Sequence, residues 1–402
     1  MKPWLAIVGI GDDGVAGLAP AARALVETAE VIVGGARHLA MVPVGAAEHL
    51  PWGKPFSESI SAIAARRGRR VVVLASGDPM WFSAGATLVR RFPLGEVTII
   101  PHPGAFSLAA ARVGWPLAEC VTLSLHARPL DALRLYLAER RRILILSEDG
   151  TTPAAVASLL CEVGWGPSSL TVLEHLGGKA EAAYSAIAAE WGEKRVADLN
   201  TIALECRAAP GTRGHSRLAG LPDDVFEHDG QLTKREVRAA TLAALAPLPG
   251  ELLWDVGAGC GSIAIEWLRA DDHVSAVAIE RDMARTAMIA RNAAMLGVPR
   301  LRIVHATALP ALDDLDPPDA IFLGGGLSDP ALLPALWRAL RPGGRLVANV
   351  ISIEGERALL AWQADHGGSL TRLAISRAEP LGLHLGWRAL APVTQLLCTK
   401  PG

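Results

Sequence analysis

Short β-branched runs alternate with alanine- and leucine-rich amphipathic stretches from one end of this chain to the other, and few architectures accommodate such a pattern. Leu5–Val8, Val31–Val33, Val71–Leu74, Val97–Ile100, Ile143–Leu146 and Leu170–Leu173 read as buried strands. Between them Ala21–Thr28, Ser59–Arg66 and Asp131–Glu139 carry helical periodicity. Apolar runs this short, interleaved with helices, need cover on both faces, which predicts an α/β fold with largely parallel sheets. The pattern breaks once. Residues 206–228, with Ala209-Pro210-Gly211-Thr212-Arg213-Gly214, are rich in turn formers and read as an interdomain linker. A second series follows, with strands expected at Leu252–Val256, Val274–Ile279, Leu301–Val304, Ala320–Leu323 and Gly344–Val350. No internal repeat relates the halves, so residues 1–205 and 229–402 are expected to be two different domains.

Charge narrows the partners. The 402 residues carry a formal net charge of −2, shared evenly between the halves. A nucleic-acid binder usually shows a basic excess, so nucleic acid is disfavoured. Cys120, Cys161, Cys206, Cys260 and Cys398 are dispersed without paired or metal-ligand spacing, which predicts no metal site and a reducing cytoplasm. The first residues run straight into a strand, and no stretch offers about 18 uninterrupted apolar residues. Neither a signal peptide nor a membrane span is expected.

In the C-terminal half, Leu252-Leu253-Trp254-Asp255-Val256-Gly257-Ala258-Gly259-Cys260-Gly261 is a strand ending in a glycine loop, followed by a helix from Ser262. Glycines there let the backbone turn sharply and approach a ligand at the carboxyl end of the first strand. One unit later Glu280 ends the second strand, placed to accept from ribose hydroxyls. The spacing is G-x-G-x-G, one residue short of the dinucleotide pattern, and Asp255 precedes the first glycine by two.

This loop resembles that of class I S-adenosylmethionine (SAM) methyltransferases, whose Rossmann-like fold the resemblance implies. Three further runs, Asp229-Gly230-Gln231-Leu232-Thr233-Lys234-Arg235-Glu236-Val237-Arg238, Pro318-Asp319-Ala320-Ile321-Phe322-Leu323-Gly324-Gly325-Gly326 and Pro342-Gly343-Gly344-Arg345-Leu346-Val347-Ala348-Asn349, are similar to the decarboxylating methyltransferases of cobalamin biosynthesis over about residues 220–400. The resemblance implies methylation of carbon-15 of a corrin precursor, coupled to loss of the ring C acetate carboxyl. SAM contacts carried over from it are Thr233, Gly257, Ala258, Gly259, Cys260, Gly261, Glu280 and Ala308, with Gly324 and Gly325 facing substrate. Ala306-Thr307-Ala308 departs from the Gly-Asp-Ala usual in that family. Thr233 and Glu236 also fit a helix capping box. Lys234 and Arg238, four apart on one helical face, and Arg345 are candidates to hold substrate carboxylates, and Asn349 to polarise the substrate. A cation locked onto the departing carboxylate would oppose its loss, so these groups should hold the others.

The N-terminal half carries Gly9-Ile10-Gly11-Asp12-Asp13-Gly14, then Ala75-Ser76-Gly77-Asp78-Pro79, Pro101-His102-Pro103-Gly104-Ala105-Phe106-Ser107 and Thr171-Val172-Leu173-Glu174-His175-Leu176-Gly177-Gly178. In this order they resemble the tetrapyrrole methylase family, which implies a two-lobed fold (lobes 3–114 and 118–205) and methylation at carbon-5 of the same macrocycle. Gly77, Asp78, Pro79, Phe106 and Ser107 would contact SAM, and Gly9 and Gly11 the substrate. Asp12 stands where that family has proline. His102, His126 and His175, near strand ends, read as structural histidines. Together the halves imply two SAM sites per chain, a small tetrapyrrole substrate and a homo-oligomer. A methyltransferase acting on RNA or protein, and a non-catalytic SAM-sensing scaffold, are the other readings compatible with the motifs.

Overall fold

The computed structural model describes residues 3–402. The chain divides into two compact units, residues 1–130 with 137–213 and residues 131–136 with 214–402.

The first unit holds two five-stranded sheets. β1 (Leu5–Ile10), β2 (Val31–Gly34), β3 (Glu48–Pro51), β4 (Val71–Ser76) and β5 (Val97–Ile100) form an all-parallel sheet in the order β3-β2-β4-β1-β5. Alternate side chains of β1 and β4 enter two separate cores, Leu5, Ile7, Val71 and Val73 on one face and Ala6, Val8, Val72 and Leu74 on the other. That explains why these strands are continuously apolar. β6 (Val121–Ser124), β7 (Arg142–Leu146), β8 (Ser169–Glu174), β9 (Ala182–Ile187) and β10 (Asn200–Glu205) form the second sheet, ordered β6-β7-β10-β8-β9. Only β6–β7 is parallel there; the other three pairings are antiparallel. The expectation of largely parallel sheets fails in this lobe, because β8, β9 and β10 follow one another without an intervening α-helix to carry a crossover.

The second unit is built on β11 (Leu252–Val256), β12 (Ser275–Glu280), β13 (Arg302–His305), β14 (Ala320–Leu323) and β15 (Arg345–Val350), parallel in the order β13-β12-β11-β14-β15. β16 (Ser369–Leu373) and β19 (Val393–Thr399) extend the sheet antiparallel beyond β15, while β17 (Ser376–Leu381) and β18 (His384–Ala389) form a separate ribbon. The strand order reverses between β11 and β14, so a crevice opens outside their carboxyl ends.

One expected segment came out differently. Asp131–Glu139 is not an α-helix: Leu130–Tyr136 winds as a 3₁₀ turn after Pro129 and places Leu135 in the core of the second unit beside Gly297. The turn-rich stretch 206–228 contains the boundary between the two units, at Arg213 and Gly214, and its ends pack into them. Ser168 Oγ accepts from the Arg207 N–H at 2.9 Å in the first unit, and Leu221 and Phe226 are buried in the second.

Candidate active sites

In the second unit β11 delivers Asp255 and the glycine loop to the crevice. Gly257, Gly259 and Gly261 have φ of 71°, 60° and 81°. A Cβ on Gly261 would lie 2.9 Å from Ile289, whereas on Gly257 or Gly259 it would meet nothing closer than 3.6 Å. Helix packing therefore requires glycine at 261, and conformation alone requires it at 257 and 259. Glu280 is buried at the end of β12, its Oε2 accepting from the Gly259 N–H at 2.9 Å and its Oε1 from the Asp282 N–H at 3.0 Å. Gly325 lies against Gly257, and the Gln231 carbonyl beside Gly259. The fold thus brings the loop, Glu280, Gly324 and Gly325 together.

Asp255 was noted in the sequence only as a spacing mark. It is fully buried; Oδ2 accepts from the Ala264 N–H at 3.0 Å, and Oδ1 has no partner. Burial pushes its carboxyl up to about 7, with Glu280 adding like-charge repulsion. An orphaned carboxylate oxygen behind a glycine cradle suits a cationic nucleoside without a pyrophosphate.

Several sequence candidates sit elsewhere. Arg238 has no exposed surface: Nε donates to Glu266 Oε1 at 2.6 Å, Nη1 to Asp223 Oδ1 at 3.2 Å, and Nη2 to the Leu221 carbonyl. It clamps the chain entering this unit and cannot hold substrate. Arg345 opens β15 at the amino ends of the parallel strands, opposite to the end that bears the glycine loop, bonded to Glu251 at 2.9 and 2.6 Å and to the Leu245 carbonyl. The Asn349 amide donates to Thr241 Oγ1 at 2.8 Å and accepts from Gln395 at 3.0 Å, a network internal to the sheet and its covering helix. The capping box is absent: helix Arg235–Leu245 begins after Lys234, with no side-chain cap, and Glu236 instead accepts from Arg377 at 2.6 Å. The Cys260 side chain is in the core, leaving its backbone to face a ligand. Ala308 packs against the core on the other side of the sheet. Lys234 is half-buried, and no group among the described residues takes its ammonium.

Sequence reading missed a groove of about 570 Å³ lined by Leu327, Ser328, Glu354, Arg357, Ala358 and Ala361, immediately after the Gly324–Gly326 turn. Ile351 and Ile353, which precede Glu354 in the sequence, are 72% and 83% exposed. Their position just past the end of β15 was the available signal. A smaller cavity of about 260 Å³, lined by Leu252, Ser275 and Arg302, lies at the amino ends of the strands, away from the loop.

In the first unit the carboxyl ends of β1, β4 and β5 interlock. A Cβ on Gly9 would fall 2.0 Å from the Gly77 carbonyl oxygen, and one on Gly77, at φ 56°, 2.6 Å from Gly104 Cα. Gly9 is therefore buried against the Gly77 loop and does not face substrate. Gly11 sits beside His102 and Asp13. Asp78 Oδ1 accepts from the Met80 N–H at 2.8 Å, stiffening the turn that carries Pro79. Ser107 is exposed near the start of helix Ala105–Val113, whereas Phe106 is buried with Leu144 and Leu173 and offers only its ring edge to Phe82, 6.0 Å away. Asp12 accepts from Arg37 at 2.8 Å and pairs with His175 Nδ1 at 3.0 Å. Among the described residues no cluster of His, Cys, Asp and Glu could hold a metal ion, and no helix is long and apolar enough to cross a membrane.

Comparison with known proteins adds to this geometry. Residues 5–190 match the family of tetrapyrrole (corrin/porphyrin) methylases, and residues 224–400 match the precorrin methyltransferase domain. A precorrin-6Y C(5,15)-methyltransferase (decarboxylating) from a Sinorhizobium species is 49% identical over 100% of this chain and 97% of its own length. The protein of that description from Mycobacterium tuberculosis is 42% identical over 98% and 99%. The chain belongs to the precorrin-6Y C(5,15)-methyltransferase family. Among solved structures, the C-terminal domain of such an enzyme from Rhodobacter capsulatus is 46% identical, covering 46% of this chain and 100% of its own, with a TM-score of 0.44. Each unit of this chain carries a glycine-bearing loop at the carboxyl ends of its parallel strands.

Proposed function

We propose that this chain is a bifunctional SAM-dependent methyltransferase that methylates a corrin precursor at carbon-5 and carbon-15 and removes the ring C acetate carboxyl, taking precorrin-6B to precorrin-8. The observation that carries the reading is a glycine-bearing loop at the carboxyl ends of parallel strands in each unit, with Gly77 at positive φ in the first and Gly257, Gly259 and Gly261 in the second. In the second unit Gly257–Gly261, Glu280 and Thr233 would hold SAM; in the first, Gly77, Asp78, Pro79 and Ser107 would. When bound, that cofactor supplies an electrophilic methyl group on a sulfonium. The protein's part is alignment and exclusion of water, where effective molarity counts most. Lys234 is the sequence-predicted cation left to hold a substrate carboxylate, and Arg357 in the neighbouring groove is a second.

Carbon-5 chemistry is assigned to the first unit, carbon-15 chemistry to the second. Five free thiols suit a reducing cytoplasm, and the exposed Leu383, Leu385 and Trp387 of the β17–β18 ribbon support self-association. Mass spectrometry after incubation with SAM and a reduced hexamethylated corrin precursor tests the reading. The product should be two methylene units heavier and one carbon dioxide lighter; an unchanged macrocycle would overturn it.

A further inference from the structure

The two proposed reactions differ in charge balance. A neutral carbon that takes a methyl cation, the new C–C bond forming as the C–S bond breaks with its pair left on sulfur, ends one positive charge richer. Where a carboxylate leaves as carbon dioxide, the electron pair it leaves behind cancels that charge. Carbon-5 methylation has no such partner, so a proton must leave the macrocycle and something must accept it.

One side chain in the first unit is built for this. His175 follows β8 at its carboxyl end, with φ of 48°, a conformation that a non-glycine residue keeps only when its surroundings enforce it. Backbone hydrogen bonds from the His175 N–H to Leu199 and from the Gly178 N–H to the His175 carbonyl hold it there, and its side chain meets Asp12, one residue past Gly11 of the β1 loop, whose Oδ2 lies 3.0 Å from His175 Nδ1. A Cβ on Gly178 would fall 2.4 Å from that same oxygen, so glycine at 178 is what admits the carboxylate. Asp12 Oδ1 accepts from Arg37 Nη1 at 2.8 Å; Arg37 Nη2 is 3.0 Å from His38 Nε2, and Ser76 Oγ, at the end of β4, is 3.1 Å from the same nitrogen. Burial, then the Arg37 charge, hold His38 down at about 4, so it stays a neutral acceptor for the guanidinium. The chain Ser76–His38–Arg37–Asp12 thus anchors the carboxylate that orients the imidazole. Nδ1 carries the proton donated to Asp12, and no group among the described residues takes Nε2, on a side chain one-third exposed. Of the other charged groups around this loop, His102 faces Asp13 at 3.6 Å, Glu181 holds Arg112 and the Gly177 N–H, Glu174 accepts from the Ala197 N–H at 2.6 Å, and Lys179 is exposed, with no partner among the described residues.

We propose that His175 is the proton acceptor for carbon-5 methylation, its Nε2 taking the proton the macrocycle sheds as the methyl group arrives, with Asp12 as its positioning residue. The proposal rests on the carbon-5 assignment to the first unit. It accounts for the Glu174-His175-Leu176-Gly177-Gly178 motif and for Asp12 standing where proline is usual.

The test uses the full-length chain. His175→Asn tolerates the left-handed backbone, and His175→Gly removes its strain and leaves space. Both should bind SAM like the parent by calorimetry, keep carbon-15 methylation and carbon dioxide release, and lose at least about 100-fold in carbon-5 methylation rate. Added imidazole should restore His175→Gly in proportion to its unprotonated fraction. Asp12→Asn, which removes the anion behind Nδ1, should move the pH–rate profile of carbon-5 methylation to lower pH, and Asp12→Glu should return it. A SAM-binding His175 variant that methylates carbon-5 at the parental rate, an absence of imidazole rescue, or an unmoved Asp12→Asn profile overturns the proposal. A parent chain that never methylates carbon-5 overturns the functional assignment of the first unit instead.

Discussion

Arg238 shows how one side chain can look like a ligand in sequence and prove to be a tether in space. Its partner Glu266 is 2% exposed and also accepts from the Gly220 and Leu221 N–H groups at 2.7 and 3.0 Å. Removing the guanidinium strands a buried carboxylate, so Arg238→Met should cost about 3–5 kcal/mol of stability, read as a lowered denaturant midpoint with catalysis intact in the surviving fold. A midpoint equal to the parent's would show the pair to be dispensable. Asp255 gives the opposite kind of signature. Its acid is raised from 3.8 to about 7, so between those values the folded chain holds a proton that the unfolded chain has released. Stability from this group therefore declines as pH rises through that window. Asp255→Asn keeps an acceptor for the Ala264 N–H and has no proton to lose. Its stability relative to the parent should grow from pH 5 to pH 8; a constant difference would rule out the raised carboxyl.

Among the elements, the strand-end loops are where backbone shape is least forgiving. Gly77→Ala would force a methyl group to 2.6 Å from Gly104 Cα at a positive φ, and neither neighbour is a flexible side chain. It should destabilise the first unit by about 1–3 kcal/mol and abolish SAM binding there. Gly95→Ala, with no atom near its Cβ and no unusual φ, is the matched control and should be silent in both thermal unfolding and calorimetry. The strands bearing these loops were readable because burial on both faces leaves an uninterrupted β-branched run. β9 was not: Ala182–Ile187 is a largely exposed edge strand, alanine-rich and without a β-branched run or a regular alternation to mark it. The 3₁₀ turn at Leu130–Tyr136 was mistaken for a helix because Leu130, Leu133 and Leu137 have helical spacing, a pattern that either winding produces.

For the whole molecule, a strand-end glycine loop in each unit predicts two SAM molecules per chain. Calorimetric titration should give two sites for the parent and one each for Gly77→Ala and for Gly259→Val, in which a branched side chain would occupy a φ of 60°. A single site in the parent would remove one loop from the mechanism. The sequence by itself determined the α/β class, the existence of two unlike halves, and the glycine loops with Glu280, because these depend on local properties: periodicity, conformational freedom, and position at a strand end. Tertiary structure alone decided what the charged side chains do. Lys234 and Arg238 share a sequence spacing, yet one ammonium is free and the other guanidinium is sealed against Glu266. Arg345 follows a glycine turn but opens its strand at the amino end, away from the glycine loop, and Asp12 meets His175 across 163 residues of chain. A charge's role is set by which opposite charge reaches it and how much water remains between them, and no local window of sequence contains either quantity.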